Sequence, residues 1–117
     1  MAIDKSLQTG STTMLVLSLI AQEDMYGYQM IETLSKRSDH TFELKAGTLY
    51  PLLKLLEDQG CITSYEQTTE AGRTRKYYHI TDAGKDLLSE KQREWMTFSQ
   101  AVERVLKGGN GVAKVCG

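Results

Sequence analysis

The stretch Ala46-Gly47-Thr48-Leu49-Tyr50-Pro51-Leu52-Leu53-Lys54-Leu55-Leu56-Glu57-Asp58-Gln59-Gly60 decides how this 117-residue chain folds. Leu49, Leu52, Leu53 and Leu56 fall at i, i+3, i+4 and i+7, so the spacing predicts a helix over 46–59 with one apolar stripe. Gly60 closes it as the residue after the cap. At about 100° per residue, the side opposite the stripe carries Gly47, Tyr50, Pro51, Lys54 and Asp58, a mixture fit to meet a ligand. Pro51 runs against the pattern: it removes the amide that would bond to the Gly47 carbonyl, and is expected to kink or restart the helix.

Upstream, Met14, Leu17, Ile20 and Ala21 recur near helical spacing after Ser11-Thr12-Thr13, predicting a helix over 11–22. A second helix runs from Tyr26 to about Lys36, with Tyr28, Ile31 and Leu34 three apart and the basic pair Lys36-Arg37 favouring its C-terminus. Downstream, the runs 62–67 and 76–80 flank the polar turn 68–74 and predict a β-hairpin, with Tyr65, Tyr77, Tyr78 and Ile80 supplying strand propensity. Thr81 then caps a long helix that has Asp82 in its first turn and can continue to about Leu106.

Three helices, a hairpin and a long helix describe a mainly α fold with a small β-hairpin: a winged helix-turn-helix followed by a C-terminal dimerisation helix. In such folds the third helix enters the DNA major groove while the hairpin, or wing, touches the flanking backbone or minor groove. In the last helix Leu88, Trp95, Phe98, Val102 and Val105 follow 7, 3, 4 and 3 spacings, with Lys91 filling the missing heptad-like position. A helix of about 25 residues cannot lie wholly against a core built from the rest of so short a chain, so a second copy is the expected cover. Residues 1–81 read as the DNA-binding domain, 82–107 as the dimerisation helix, and 108–117 as a flexible glycine-rich tail.

Composition narrows the function classes. With 14 Lys+Arg, 15 Asp+Glu and 40% hydrophobic residues, the chain is one small folded domain of near-zero net charge, not a protein that coats nucleic acid by bulk electrostatics. Its longest apolar run, from Met14 to Ala21, falls far short of the ~20 residues that span a bilayer, and Met1-Ala2-Ile3-Asp4-Lys5 lacks the basic start of a signal peptide; a cytoplasmic location is expected. Cys61 and Cys116 suit neither a CxxC pair nor a zinc site, and Cys61 reads as a small buried hydrophobe. His40 and His79 have no nucleophile at a suggestive spacing, and Glu90 and Glu94 read as a solvated helix face, so neither an enzyme nor a cofactor is expected.

Between Lys45 and His79 five bases face four acids, only weakly basic in sum. Placement matters more: Lys45 and Lys54 lie at the start and on the outer face of the third helix, and Arg73 and Arg75 at the wing tip, where phosphates would run. Thr48 and Tyr50 add hydroxyl donors, and Gly47 lets the backbone approach an anion closely. Charges alone leave open whether this surface docks DNA or is merely solvated, and helical aromatic spacing alone makes Trp95 and Phe98 seam residues before ligand walls.

The segments Tyr26-Gly27-Tyr28-Gln29, Gly47-Thr48-Leu49-Tyr50-Pro51-Leu52-Leu53-Lys54-Leu55-Leu56-Glu57, Gly60-Cys61-Ile62 and Arg73-Thr74-Arg75-Lys76-Tyr77-Tyr78-His79-Ile80-Thr81-Asp82-Ala83-Gly84 resemble, in order and spacing, the PadR family of bacterial transcriptional regulators. The resemblance covers about 10–106 and points to the subfamily with a single long C-terminal helix, whose members tolerate a proline at the position of Pro51. It implies a homodimeric repressor that binds a pseudo-palindromic operator in double-stranded DNA and is released by a small-molecule effector, with efflux and detoxification genes frequent targets. Carried over by residue, the recognition-helix contacts are Lys45, Gly47, Thr48, Tyr50 and Lys54, and the wing contacts Arg73, Arg75 and Lys76. In some relatives an aromatic residue of the last helix lines a pore between subunits, which implies Trp95, with Phe98, as contacts for a flat hydrophobic effector.

Two departures stand out. Lys45 occupies a place where relatives commonly have a serine-like cap, exchanging capping strength for a phosphate-binding cation, and the wing sequence Ala71-Gly72-Arg73-Thr74-Arg75 is less dense in glycine and arginine than is usual. A winged-helix module whose third helix meets protein instead of DNA is the alternative, and salt dependence of binding separates the two.

Overall fold

Leu49, Leu53 and Leu56 turn inward as their spacing requires, and every other element is placed by its packing around them. The computed structural model describes residues 5–108, with side chains from residue 11 onward. In chain order the elements are α1 (Lys5–Gln22), β1 (Met25–Tyr26), α2 (Gly27–Arg37), α3 (Ala46–Asp58), β2 (Ile62–Thr68), β3 (Thr74–Ile80) and α4 (Asp82–Leu106). The glycine-rich tail predicted from 108 lies, beyond Gly108, outside the described residues.

The core draws Val16, Leu17 and Ile20 from α1, Met30 and Leu34 from α2, the α3 leucines, Met25, Ile62, Tyr78 and Ile80 from the strands, and Leu88 from α4. Leu52, the fourth member of the predicted stripe, is half-buried, and Leu55 beside it stands 51% exposed. Gly60 takes φ +78, the left-handed position that ends a helix, directly after the α3 cap Gln59. Pro51 neither breaks nor restarts α3, which runs unbroken through it. One missing hydrogen bond on the exposed face is outweighed by three leucines buried on the other, each contributing ~1.5–3 kcal/mol.

Two expectations change. The first helix begins at Lys5, six residues before Ser11, because Ser11-Thr12-Thr13 signals a cap only when nothing helical precedes it, and an interior glycine such as Gly10 costs only about 1 kcal/mol. The hairpin is not alone: β1 pairs antiparallel with β3 through Met25↔Tyr78 and Tyr26↔Tyr77, giving a three-stranded sheet in the order β1-β3-β2. Two residues are too few to show a period of two, so this strand exists only through its partner.

Strands β2 and β3 register from Ile62↔Ile80 to Thr68↔Thr74, each one residue or more longer at the tip than the sequence predicts. Thr81 caps α4 by accepting from the Gly84 amide at 3.1 Å, and its hydroxyl donates to the Gly60 carbonyl at 2.7 Å. Gly84 is buried there so tightly that a Cβ would strike the Cys61 carbonyl oxygen and come within 2.7 Å of Ile80 Cγ1. The corner where α3 ends thereby fixes where α4 begins.

Candidate nucleic-acid interface

Because α3 spends its apolar stripe on the core, its other side is left to solvent. Lys45, Gly47, Thr48, Tyr50 and Lys54 are all exposed. Lys45 precedes the helix in extended conformation and its side chain caps nothing, so the ammonium is free to reach an anion at the helix N-terminus. A Cβ on Gly47 would meet no atom within 4 Å, so nothing inside the protein demands a glycine there. Lys54 pairs with Asp58 at 3.5 Å, but with both side chains mostly exposed the pair contributes little and is easily exchanged for another anion.

Tyr50 is 45% exposed, and its hydroxyl has no hydrogen-bond partner among the described residues. Burial pushes the Tyr78 phenol above its ordinary value, and the charges of Glu57 and Tyr50 push it the same way. Lys76 Nζ stands 5.7 Å from the centre of the Tyr78 ring. Lys76, from the wing, therefore stands on the side of the sheet that faces the helices.

Arg75 goes elsewhere. Alternation along β3 puts Lys76 and Tyr78 on the helix-facing side of the sheet and Arg75, Tyr77 and His79 on the other. The Arg75 guanidinium lies 4.3 Å over the Tyr26 ring, and Tyr26, Tyr77 and Tyr65 form one rung across all three strands, edge-on at 5.4 Å and stacked at 5.8 Å. Such a cation–π contact occupies the guanidinium face and leaves its edges as donors. Arg73 is exposed at the tip, in a turn closed by Thr69 N donating to Arg73 O at 2.8 Å and Gly72 N to Thr69 O at 2.9 Å, with Gly72 at φ +85. The wing cations therefore occupy three places: the tip, the helix-facing side and the outer side.

At the base of that outer side Asp24 accepts from Tyr65 Oη at 2.7 Å and pairs with His79 Nδ1 at 2.9 Å. The hydrogen bond from Tyr65, and after it the hydrogen bond and the charge interaction with His79, hold the Asp24 carboxyl below its ordinary value against the opposing effect of burial. This clasp joins the end of α1 to both long strands, and no local pattern in the sequence announces it.

Trp95 and Phe98 lie 6.0 Å apart on α4 and are 49% and 53% exposed in the single chain. Beyond them Phe98, Ala101, Val102, Val105 and Leu106 line a shallow apolar hollow of about 290 Å³. His40, isolated in sequence, is not isolated in space: its Nδ1 meets Ser35 Oγ at 2.9 Å and Glu43 at 3.4 Å. Serine and carboxylate approach the same ring nitrogen, whereas a proton relay to a nucleophile needs one on each. The cluster instead secures the turn after α2, where Asp39 and His40 hold φ +54 and +66. Among the described residues no group of three or more His, Cys, Asp or Glu is placed to hold a metal, and Cys61 is a free, buried thiol.

The fold and this face define a winged helix-turn-helix protein with a long C-terminal helix. Residues 16–90 match the family described as the transcriptional regulator PadR-like family, and the chain belongs to it. It is 31% identical over 112 residues to a transcriptional regulator of Mycobacterium tuberculosis, covering 92% of this chain and 98% of that one. A PadR-like transcriptional regulator from Bacillus cereus superposes with a TM-score of 0.78 at 31% identity, over 88% of this chain and 98% of the other. A PadR family regulator from Eggerthella lenta gives 0.74 at 36% identity, over 87% of each chain. These three relatives are transcriptional regulators, not enzymes, and among the described residues no helix is long and apolar enough to cross a membrane.

Proposed function

We propose that this regulator is a homodimeric repressor that reads a pseudo-palindromic operator through α3 and the wing and is released by a flat hydrophobic molecule. The observation that carries the DNA reading is the outward face of α3, where Lys45, Gly47, Thr48, Tyr50 and Lys54 are all exposed and none is a member of the core. Lys45 and Lys54 supply phosphate contacts, Thr48 and Tyr50 donate from hydroxyls, and Gly47 admits the backbone to the anion. Arg73 and Lys76 extend the docking face along the wing, and Arg75 reaches the same backbone from the outer side with its guanidinium edge.

Residues 1–81 act as the reading domain and 82–107 as the dimerisation helix. Its exposed stripe through Trp95, Phe98, Val102 and Val105 is covered by the second copy, and Trp95 and Phe98 meet the effector where the two copies face each other. The proposal is tested by gel-shift titration against the DNA upstream of its own gene at two salt concentrations, with an unrelated duplex as competitor. Specific binding that falls steeply with salt is expected, with Tyr50→Ala and Lys54→Ala each weakening it and leaving the dimer intact. Binding insensitive to both substitutions would remove α3 as the docking face, and salt-independent capture of a protein would favour an interaction module. Quenching of the single Trp by planar compounds tests the effector contact; no quenching across a panel would count against it.

A further inference from the structure

Tyr50 is held where it is by an absence. It stands on the exposed side of α3, its ring leaning across to the first residue of α2, Gly27. A Cβ built on Gly27 would collide with the Tyr50 hydroxyl, with Cζ at 2.6 Å and Cε1 at 2.8 Å. Gly27 is buried with a φ outside the left-handed region, so its backbone would accept any L-residue; the nearest obstacle is the Tyr50 ring.

We infer that Gly27 is a positioning residue for the recognition helix: its missing side chain is the seat of the Tyr50 phenol, and the seat sets where the phenol stands when α3 meets nucleic acid. Three observations support the role. The hydroxyl is unpartnered among the described residues although the ring is half-covered, so its donor is unspent within the protein. The phenol end of the ring lies over buried Gly27, which sets α3 against the start of α2. The neighbouring Gly47, by contrast, would meet nothing, so the two glycines serve different ends: Gly27 makes room inside the protein, Gly47 toward whatever lies outside.

The inference rests on the DNA-docking reading of α3 and is tested by a double-substitution cycle. The probe is a duplex selected from a random pool by the unmodified full-length protein, and Gly27→Ala, Tyr50→Ala and the pair are compared with it. Gly27→Ala displaces the phenol, so it is expected to weaken binding by about tenfold, as Tyr50→Ala does, with the pair no weaker than Tyr50→Ala alone. A general folding defect would instead weaken the Tyr50→Ala background by the same factor again and would overturn the role. A second measurement needs no DNA: proton NMR of the unmodified protein shows a nuclear Overhauser contact between the Gly27 α-protons and the Tyr50 ring, and its absence would also overturn it. If Tyr50→Ala weakens binding and Gly27→Ala does not, the positioning role falls and the docking face stands. If Lys45, Tyr50 and Lys54 substitutions are all silent, the docking face falls and takes the positioning role with it.

Discussion

Gly47 and Asp24 are single residues whose predicted effects separate stability from binding. Glycine in a helix costs about 0.5–1 kcal/mol relative to alanine, and the space beside Gly47 is empty, so Gly47→Ala is expected to raise the unfolding free energy by about that amount. The same methyl group stands between the backbone and an approaching phosphate, so operator affinity is expected to fall by about tenfold. Chemical denaturation and gel-shift titration on one preparation check both, and a variant that is more stable and binds as well as its parent would remove the backbone approach from the docking scheme. Asp24 works through charge. Its folded-state value lies below the ordinary 3.8, chiefly through the Tyr65 hydrogen bond, so its contribution is fully present above the ordinary value and is lost as the pH falls through the lower, folded one. Urea midpoints of the parent and Asp24→Asn should therefore differ above the ordinary carboxylate value and converge in strong acid. A gap that stayed constant to the lowest pH would show that the clasp contributes nothing through ionisation.

At the scale of elements, what the sequence discloses depends on whether an element carries its own period. Helix α3, the hairpin and α4 were legible because Leu49–Leu53–Leu56, the tyrosine-rich runs and the Thr81 cap each state a geometry within a few residues. Strand β1 was not, since its two residues become a strand only by pairing with Tyr77 and Tyr78, and the start of α1 was hidden by a cap-like Ser-Thr-Thr that the helix runs through. The candidate interface divides in the same way. The exposed side of α3 follows from its spacing, whereas Asp24 and His79 meet across 55 positions and no local signal joins them. Arg75 and Lys76 could have been told apart: neighbours on a strand face opposite ways, and only Lys76 looks toward α3. Helix α4 carries a prediction of its own. Val102 is 37% exposed in the single chain, so Val102→Asp should leave the fold intact, but a charge forced unpaired into a seam between two copies costs about 3 kcal/mol or more, weakening the dimer by roughly a hundredfold. Sedimentation equilibrium reads this directly, and an unchanged association constant would move the dimer seam off this face.

The whole molecule is longer than its residue count requires. Its radius of gyration is 17.4 Å with extents of 61 × 30 × 21 Å, where a compact chain of about 100 residues has a radius near 13 Å. Helix α4 contributes to that length: at 1.5 Å per residue it runs about 37 Å and ends with Val105 and Leu106 nearly four-fifths exposed. A helix this far out of its own core sets the distance between two winged domains when two copies pair along it. Two recognition helices in successive major grooves must sit about 34–36 Å apart, one turn of the duplex. Operator spacing is therefore the measure of the whole design. Inserting five base pairs between the half-sites turns one of them to the far side of the duplex, and the pair can no longer be gripped at once, so affinity is expected to drop to that of a single half-site. In the Val102→Asp protein, at concentrations where the weakened dimer is dissociated, the same insertion is expected to change nothing. Equal loss in both proteins would mean that the insertion damages the half-sites themselves, and no loss in either would mean that the two winged domains do not read the operator as one rigid pair.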